Sequence, residues 1–240
     1  MFENYPKRRP DLPEEFQNIY SEHYKNNREG KTSATFLSKT MERWMHKKVA
    51  KDVKGKVNLS TLEIGAGTLN QLAYETTKPY DIIEPFTELF NNSKFKPLIR
   101  DIYADIDEID ENKKYDRITS IATFEHITNL PLVVAKTCFL LNPNGTLRVA
   151  IPNEGTFLWK LGWKLTTGIE FRLKYGLNYE TLLKYEHINT AREIEHILRY
   201  FYSKIKSASL GIHKRMAFYR FFECSIPKTE NAKRYLKEST

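Results

Sequence analysis

Cysteine is almost missing from the 240-residue chain, which has only Cys138 and Cys224. They stand far apart in apolar surroundings, so a disulfide scaffold and a cysteine-based zinc site are both excluded, and the expectation is two buried free thiols in a cytosolic protein. Long apolar runs are missing as well, none approaching the ~18 residues of a membrane-spanning helix. The basic start, Met1 to Pro10, has no apolar stretch behind it, so no secretory signal is visible. Acidic excess is absent: 38 Lys+Arg stand against 30 Asp+Glu, a net charge of +8. That charge is uneven, +5 over residues 1–57, −3 over 58–199 and +6 over 200–240. A basic end is either a solvated face or an anion-binding one, and a continuous nucleic-acid face is not what this distribution describes. A hydrophobic share of 40%, with 13% aromatic residues, is enough for a packed core in one large domain.

The first 56 residues read as a helical cap. Phe36, Leu37, Met41, Trp44, Met45 and Val49 recur at helical spacing, and the helix is expected to end near Lys54-Gly55. From Val57 the texture changes. Strands are expected at Val57–Ile64, Tyr80–Ile83, Lys96–Arg100, Tyr115–Ile121 and Thr146–Ile151, with a helix starting at Thr68 and another over Leu130–Leu141. Asn142 to Gly145 is a turn by composition. Alternation of this kind predicts parallel βαβ units with helices on both faces of the sheet. A further helix from Thr190 and strand-like runs at Lys204–Leu210 and Met216–Ile226 complete an expected unit over 57–226, interrupted at 156–186 and followed by a polar tail, 227–240.

In sheets of this kind ligands sit beyond the C-terminal strand ends, where strand order reverses. That rule gathers Glu63, Glu84, Asp101 and the stretch Thr123 to His126 on one rim. Leu62-Glu63-Ile64-Gly65-Ala66-Gly67 delivers an acid and a Gly-x-Gly turn to the start of a helix. Glycines there admit a ligand close to the backbone, although a tight strand-to-helix turn needs no ligand to explain it. A dinucleotide fingerprint asks for a third glycine where Asn70 stands. Glu84, followed by Pro85, is placed to accept from both hydroxyls of an adenosine ribose, and Asp101 to accept from an adenine amine, with Ile102 offering its backbone.

Taken in order, Leu-Glu-Ile-Gly-Ala-Gly, Ile-Ile-Glu-Pro, the Asp101 region, Tyr115-Asp-Arg-Ile, Phe124-Glu125-His126-Ile127 and Leu140-Leu-Asn-Pro-Asn-Gly-Thr-Leu-Arg-Val-Ala-Ile-Pro152 resemble the class I S-adenosylmethionine-dependent methyltransferases. The resemblance covers about residues 57–153. It implies a Rossmann-like, seven-stranded α/β sheet, S-adenosyl-L-methionine as cofactor, and cofactor contacts from Glu63, Gly65, Ala66, Gly67, Glu84, Pro85, Asp101, Ile102, Thr123 and Phe124. Leu69 stands where many members carry a third glycine. The later stretch, Asn153-Glu-Gly-Thr-Phe-Leu-Trp-Lys-Leu to Tyr185-Glu186-His187-Ile188-Asn189-Thr190, looks like small-molecule methyltransferases of bacterial surface-polysaccharide clusters. That likeness implies a sugar hydroxyl as acceptor.

An alcohol must lose a proton as it takes a methyl group, and a positioned histidine speeds this by typically ~10²–10⁴-fold. His126, after the fourth strand, and His187, where the chain returns from the insertion, are the expected catalytic pair; each can equally cap or anchor its own segment. His23, His46, His196 and His213 lie off the rim. Glu125, Glu154 and Glu186 are the acids nearest the pair. No metal-ligand set can be placed from the sequence. The insertion interleaves Trp159, Trp163, Phe171, Tyr175 and Tyr179 with Lys160, Lys164 and Arg172. Such a lid can stack on a sugar or base and meet a phosphate, pack its aromatics on the core, or touch a membrane surface. Glu125, Glu154, Trp159, Trp163, Arg172 and Tyr179 are accordingly the expected substrate contacts, with a small, phosphorylated glycosyl acceptor as partner. The rivals are an RNA methyltransferase and a non-catalytic binding domain on the same fold. Against the first, Ile121-Ala-Thr-Phe124 lacks the Asn/Asp-Pro-Pro-aromatic pattern suited to base amines.

Overall fold

A computed structural model describes residues 2–17, 19–20, 36–165, 167–214 and 216–239. Residues 21–35 of the expected N-terminal cap, His23 among them, lie outside the described residues, as do the side chains of 36–39, Phe36 and Leu37 among them. Seven strands form one sheet: β1 (Asn58–Ile64), β2 (Lys78–Ile83), β3 (Ile102–Tyr103), β4 (Tyr115–Ile121), β5 (Leu141–Pro152), β6 (Tyr202–His213) and β7 (Met216–Pro227), in the order β3-β2-β1-β4-β5-β7-β6. The β1–β2, β2–β3, β1–β4 and β4–β5 pairs are parallel, and β7 runs antiparallel to both β5 and β6. Order reverses between β1 and β4, so the ligand crevice of such a sheet opens beyond Ile64 and Ile121.

Central strands covered on both faces show unbroken burial, as β1 does from Thr61 to Ile64 and β4 from Arg117 to Ile121. On one face α1 (Phe36–Val49) presses Met45 and Val49 against Ile121, Ala150 and Phe221. On the other, α2 (Leu130–Leu140), α6 (Ala191–Phe201) and α7 (Thr229–Glu238) enclose the main core. Thr190 starts α6 with a capping box, its hydroxyl accepting from Glu193 N while the Glu193 carboxylate accepts from Thr190 N. The lid comprises α3 (Phe157–Leu165), α4 (Thr167–Tyr175) and α5 (Tyr179–Glu186).

Two buried arginines fasten α1 to the sheet. Arg117 of β4 pairs with Glu75 at 2.6 Å and Asp52 at 2.9 Å; Arg148 of β5 pairs with Asp52 and Glu223 and donates to the Val49 and Lys48 carbonyls. Cations at the C-terminal carbonyls of a helix complement its dipole.

Four expected elements differ. Residues Lys96–Leu98 form a 3-10 turn rather than a strand, because Pro97 has no N–H to give a ladder, and β3 starts only at Ile102. No α-helix follows Thr68: Leu69 takes a left-handed conformation, φ +66°, and only a 3-10 turn, Asn70–Ala73, follows. Asn142 to Gly145 belongs to β5 as a bulge, two steps along β4 matching five along β5. The expected polar tail folds as α7, where Ala232 and Tyr235 are buried and Tyr235 sits 5.7 Å from the Phe201 ring.

Candidate active site

The turn after β1 is built from left-handed residues: Gly65 at φ +73°, Gly67 at +51° and Leu69 at +66°. Leu69 keeps at the third position a conformation that glycine adopts without strain, and its side chain is fully buried among Ala66, Leu72, Tyr80, Ile82 and Phe90, which offsets the backbone cost. Glu84, at the tip of β2 and 3% exposed, clasps this turn. Its Oε2 accepts from Gly67 N at 2.7 Å and its Oε1 from Phe86 N at 3.1 Å. A carboxylate can accept at about four positions. Phe86, just past the end of β2, and Ile102, at the start of neighbouring β3, are 47% and 43% exposed. Phe86 escaped the sequence reading; its signal is only an aromatic two residues after the acid.

Glu63 is buried and accepts from Tyr80 Oη at 2.8 Å. Burial pushes its carboxyl up to about 8, against the opposing Tyr80 hydrogen bond. Asp101 does not end its strand but precedes it. Its carbonyl bonds Ile82 N, and the ladder sets Ile102 against Ile82 and Tyr103 against Ile83, so Asp101 falls below the rim that Glu84 occupies, and its carboxylate pairs with Lys113 at 2.6 Å. Pro85 is exposed. Thr123 leans on the glycine turn, donating to Gly65 O at 3.3 Å, whereas Phe124 is fully buried in the main core. Phe124 therefore supports the rim from beneath.

Beyond Thr123 the chain reaches the histidine pair in one turn, His126 N donating to Thr123 O at 2.9 Å. The rings of His126 and His187 meet edge to face, centroids 4.6 Å apart. His126 Nδ1 lies 3.0 Å from Glu186 O and His187 Nδ1 3.0 Å from Glu154 Oε2, the latter without hydrogen-bond alignment. Glu154 also accepts from Trp159 Nε1 at 3.2 Å. Burial lowers the affinity of His187 for a proton, but Glu154, Glu125 and Glu186 together raise it above the ordinary imidazole range. Glu125, 1% exposed, is pushed up to about 7 by burial. With His126 and His187 it makes a cluster whose three ligand atoms lie within 4.8 Å of one another, a set that the sequence reading did not place.

Two segments sixty residues apart are joined by backbone and by residues the sequence reading missed. Ile188 N and Asn189 N both donate to Glu125 O. Asn189, fully buried, donates to the Phe124 and Ile127 carbonyls and accepts from Tyr5 Oη. Arg9 donates to the carbonyls of His126, Tyr185 and Glu186. The basic N-terminal residues thus brace the histidine pair from behind.

Of the expected substrate contacts in and before the lid, Glu154 lies beside His187 and Trp159 reaches the cluster through Glu154. Trp163 and Arg172 line a separate cleft of about 520 Å³ with Lys164 and Ile169, and Tyr179 packs on Trp163 and Phe171. Phe171 stacks in turn on Phe16 of the N-terminal segment. None of the nine residues of α3 is buried, although six are large and apolar.

A mixed, mostly parallel open sheet in this strand order, with a glycine turn clasped by an acid and a polar pair beyond β4, defines a Rossmann-like α/β architecture. Residues 33–201 match the family model described as a methyltransferase domain, and the chain belongs to that family. Similar solved structures include the plantazolicin methyltransferase BpumL in complex with SAH, 14% identical over 88% of this chain and 93% of that one, TM-score 0.57. The N-methyltransferase NodS from Bradyrhizobium japonicum WM9 in complex with S-adenosyl-L-homocysteine is 12% identical over 88% and 99%, TM-score 0.56. The CurJ carbon methyltransferase is 19% identical over 79% of this chain, TM-score 0.52, and this chain spans 55% of its length. No curated protein matches the chain. Among the described residues no helix is long and apolar enough to cross a membrane.

Proposed function

We propose that the protein transfers a methyl group from S-adenosylmethionine to a hydroxyl of a small acceptor, a sugar or a nucleotide- or lipid-linked sugar of surface-polysaccharide assembly. The observation that carries the reading is the single turn from Thr123, which touches the glycine turn, to His126, which faces His187. It links a cofactor cradle to a polar pair in one step of chain. When bound, S-adenosylmethionine supplies an electrophilic methyl on a sulfonium. Glu84 would accept from the ribose hydroxyls, and Phe86 and Ile102 would match the faces of an adenine. His126, its Nδ1–H given to Glu186 O, presents Nε2 to take the acceptor proton. Alignment of the two substrates supplies most of the acceleration.

Calorimetry with S-adenosylhomocysteine is expected to give one site per chain, and Glu84→Ala to weaken it roughly 10–100-fold, the loss of charge-assisted hydrogen bonds. Labelled methyl is expected to pass to a nucleotide-sugar or polysaccharide-precursor pool. No binding at all would overturn the reading; a Glu84→Ala protein that binds like wild type would overturn only the ribose assignment.

The lid supports a cytoplasmic enzyme that works against an anionic bilayer. Phe157, Leu161, Leu165, Ile169 and Leu173 recur every four residues and are 40–84% exposed, with Lys160, Lys164, Arg172 and Lys174 interspersed. Apolar surface beside lysine and arginine complements anionic headgroups. Sedimentation with phosphatidylglycerol vesicles is expected to carry the protein down, and Phe157→Glu with Leu173→Glu to lower the bound fraction severalfold. Equal binding to phosphatidylcholine vesicles by wild type and variant would remove this surface.

A further inference from the structure

Glu125, His126 and His187 hold one carboxylate and two imidazoles within 4.8 Å. A metal with bonds of about 2.1 Å spaces its ligands by at most ~4.2 Å, so small side-chain rotations close this set around an ion. We propose that the cluster is a divalent transition-metal site of the two-imidazole, one-carboxylate type, beside the acceptor hydroxyl.

Three features carry the proposal. Glu125 is 1% exposed and its Oε2 has no hydrogen-bond partner. A buried carboxylate oxygen without a donor is costly, and a cation answers that need directly. Each imidazole has its Nδ1 turned to an oxygen, Glu186 O for His126 and Glu154 Oε2 for His187, both at 3.0 Å. His126 Nε2 lies 3.9 Å from Glu125 Oε1, a spacing that one ion can bridge, and Glu186 O at Nδ1 is the outer partner that fixes the orientation of that ring. Finally, Glu125 O holds Ile188 N and Asn189 N at 2.9 and 3.1 Å, and Asn189 ties back to the Phe124 and Ile127 carbonyls. The two ligand-bearing segments are therefore fixed to each other by backbone before any ion binds.

Two nitrogens and one oxygen favour zinc, cobalt, manganese or iron over magnesium and calcium. Three protein ligands leave coordination positions open, and a hydroxyl beside a divalent ion is more acidic than in water. With the ion on His126 Nε2 that nitrogen takes no proton, and the acidified hydroxyl loses its proton to solvent instead; this role rests on the reading of the cluster as the acceptor site, but ion binding itself is measurable with neither substrate present.

The full chain, stripped with EDTA and dialysed, is titrated with Co²⁺ and then Zn²⁺ by calorimetry and visible absorption. The expected result is one Co²⁺ per chain with the visible bands of nitrogen ligation, displaced by Zn²⁺. His126→Ala, His187→Ala and the near-isosteric Glu125→Gln are each expected to weaken Co²⁺ binding by ~100-fold or more, and Glu154→Gln by roughly 10-fold. His196→Ala, whose ring packs on Phe2 away from the cluster, is expected to bind Co²⁺ like wild type. Unchanged affinity for S-adenosylhomocysteine shows that a variant is folded. Absence of stoichiometric Co²⁺ binding, or variants that bind it as wild type does, overturns the metal site. Methylation undiminished in EDTA together with no Co²⁺ binding leaves the methyltransferase reading standing with a metal-free imidazole. Co²⁺ binding with no affinity for S-adenosylhomocysteine does the reverse.

Discussion

Gly65→Ala is expected to destabilise the protein by about 3 kcal/mol and to remove measurable S-adenosylhomocysteine binding. Gly65 sits at φ +73°, where an alanine costs roughly 1–2 kcal/mol. A Cβ there would lie 2.3 Å from Thr123 Cγ2, 2.4 Å from its Oγ1 and 2.9 Å from its Cβ. Rotating the threonine relieves the first two contacts but not the third, so the backbone must move, and forced overpacking of this kind typically costs ~1–3 kcal/mol. The two contributions together give the expected loss. Thr123 also carries the hydrogen bond from His126 N, so the strain passes into the histidine pair. Thr123→Ala in the Gly65→Ala background removes Cγ2 and Oγ1 and is expected to recover about 1 kcal/mol of the loss. Urea denaturation of the single and double variants measures both terms. A Gly65→Ala protein as stable as wild type, binding as well, would show that the turn is not the tight approach described.

The parts of the site that were legible in the chain are those written in adjacent residues. Leu62 to Gly67 announces a buried strand feeding a left-handed turn, and Glu84 follows β2 directly, so both fall where local pattern puts them. Asp101 was misplaced because Pro97 stops the expected third strand and delays β3 until Ile102, moving the acid below the rim. Phe124 was misread because alternation around a strand end does not say which side chain turns to the core. The Glu125–His126–His187 cluster depends on Ile188 and Asn189 reaching Glu125 O across sixty residues, and on Arg9 and Tyr5 from the far end of the chain. No periodicity encodes such closure. Leu69 shows the opposite case: a residue that breaks the glycine pattern keeps the glycine conformation because burial of its side chain compensates.

Stability is expected to fall by a few kcal/mol between about pH 5 and pH 8.5, and Glu63→Gln to remove much of that slope. Burial pushes the Glu63 carboxyl up to about 8; Glu75 and Glu84 add to the rise, while the Tyr80 hydrogen bond and Arg117 oppose it. An unfolded glutamate titrates near ~4.3. Between the two values the folded protein holds a proton that the unfolded chain has released. The stabilisation is therefore complete below about pH 4.3 and is lost as pH rises through 8. The full gap would correspond to ~5 kcal/mol at 1.36 kcal/mol per pH unit, an upper bound because water entry and relaxation soften the cost of ionising a buried acid. Glutamine keeps an oxygen for the Tyr80 hydroxyl, which donates at 2.8 Å, and has no proton to lose. Glu125, pushed up to about 7, adds a similar trend over a narrower range, so a residual slope that ends near pH 7 is expected in the Glu63→Gln protein. Urea midpoints at pH 5, 7 and 8.5 for the two proteins separate these contributions. If both proteins lose stability equally up to pH 8.5, Glu63 is already ionised when folded, and the Tyr80 hydroxyl and Arg117 outweigh its burial.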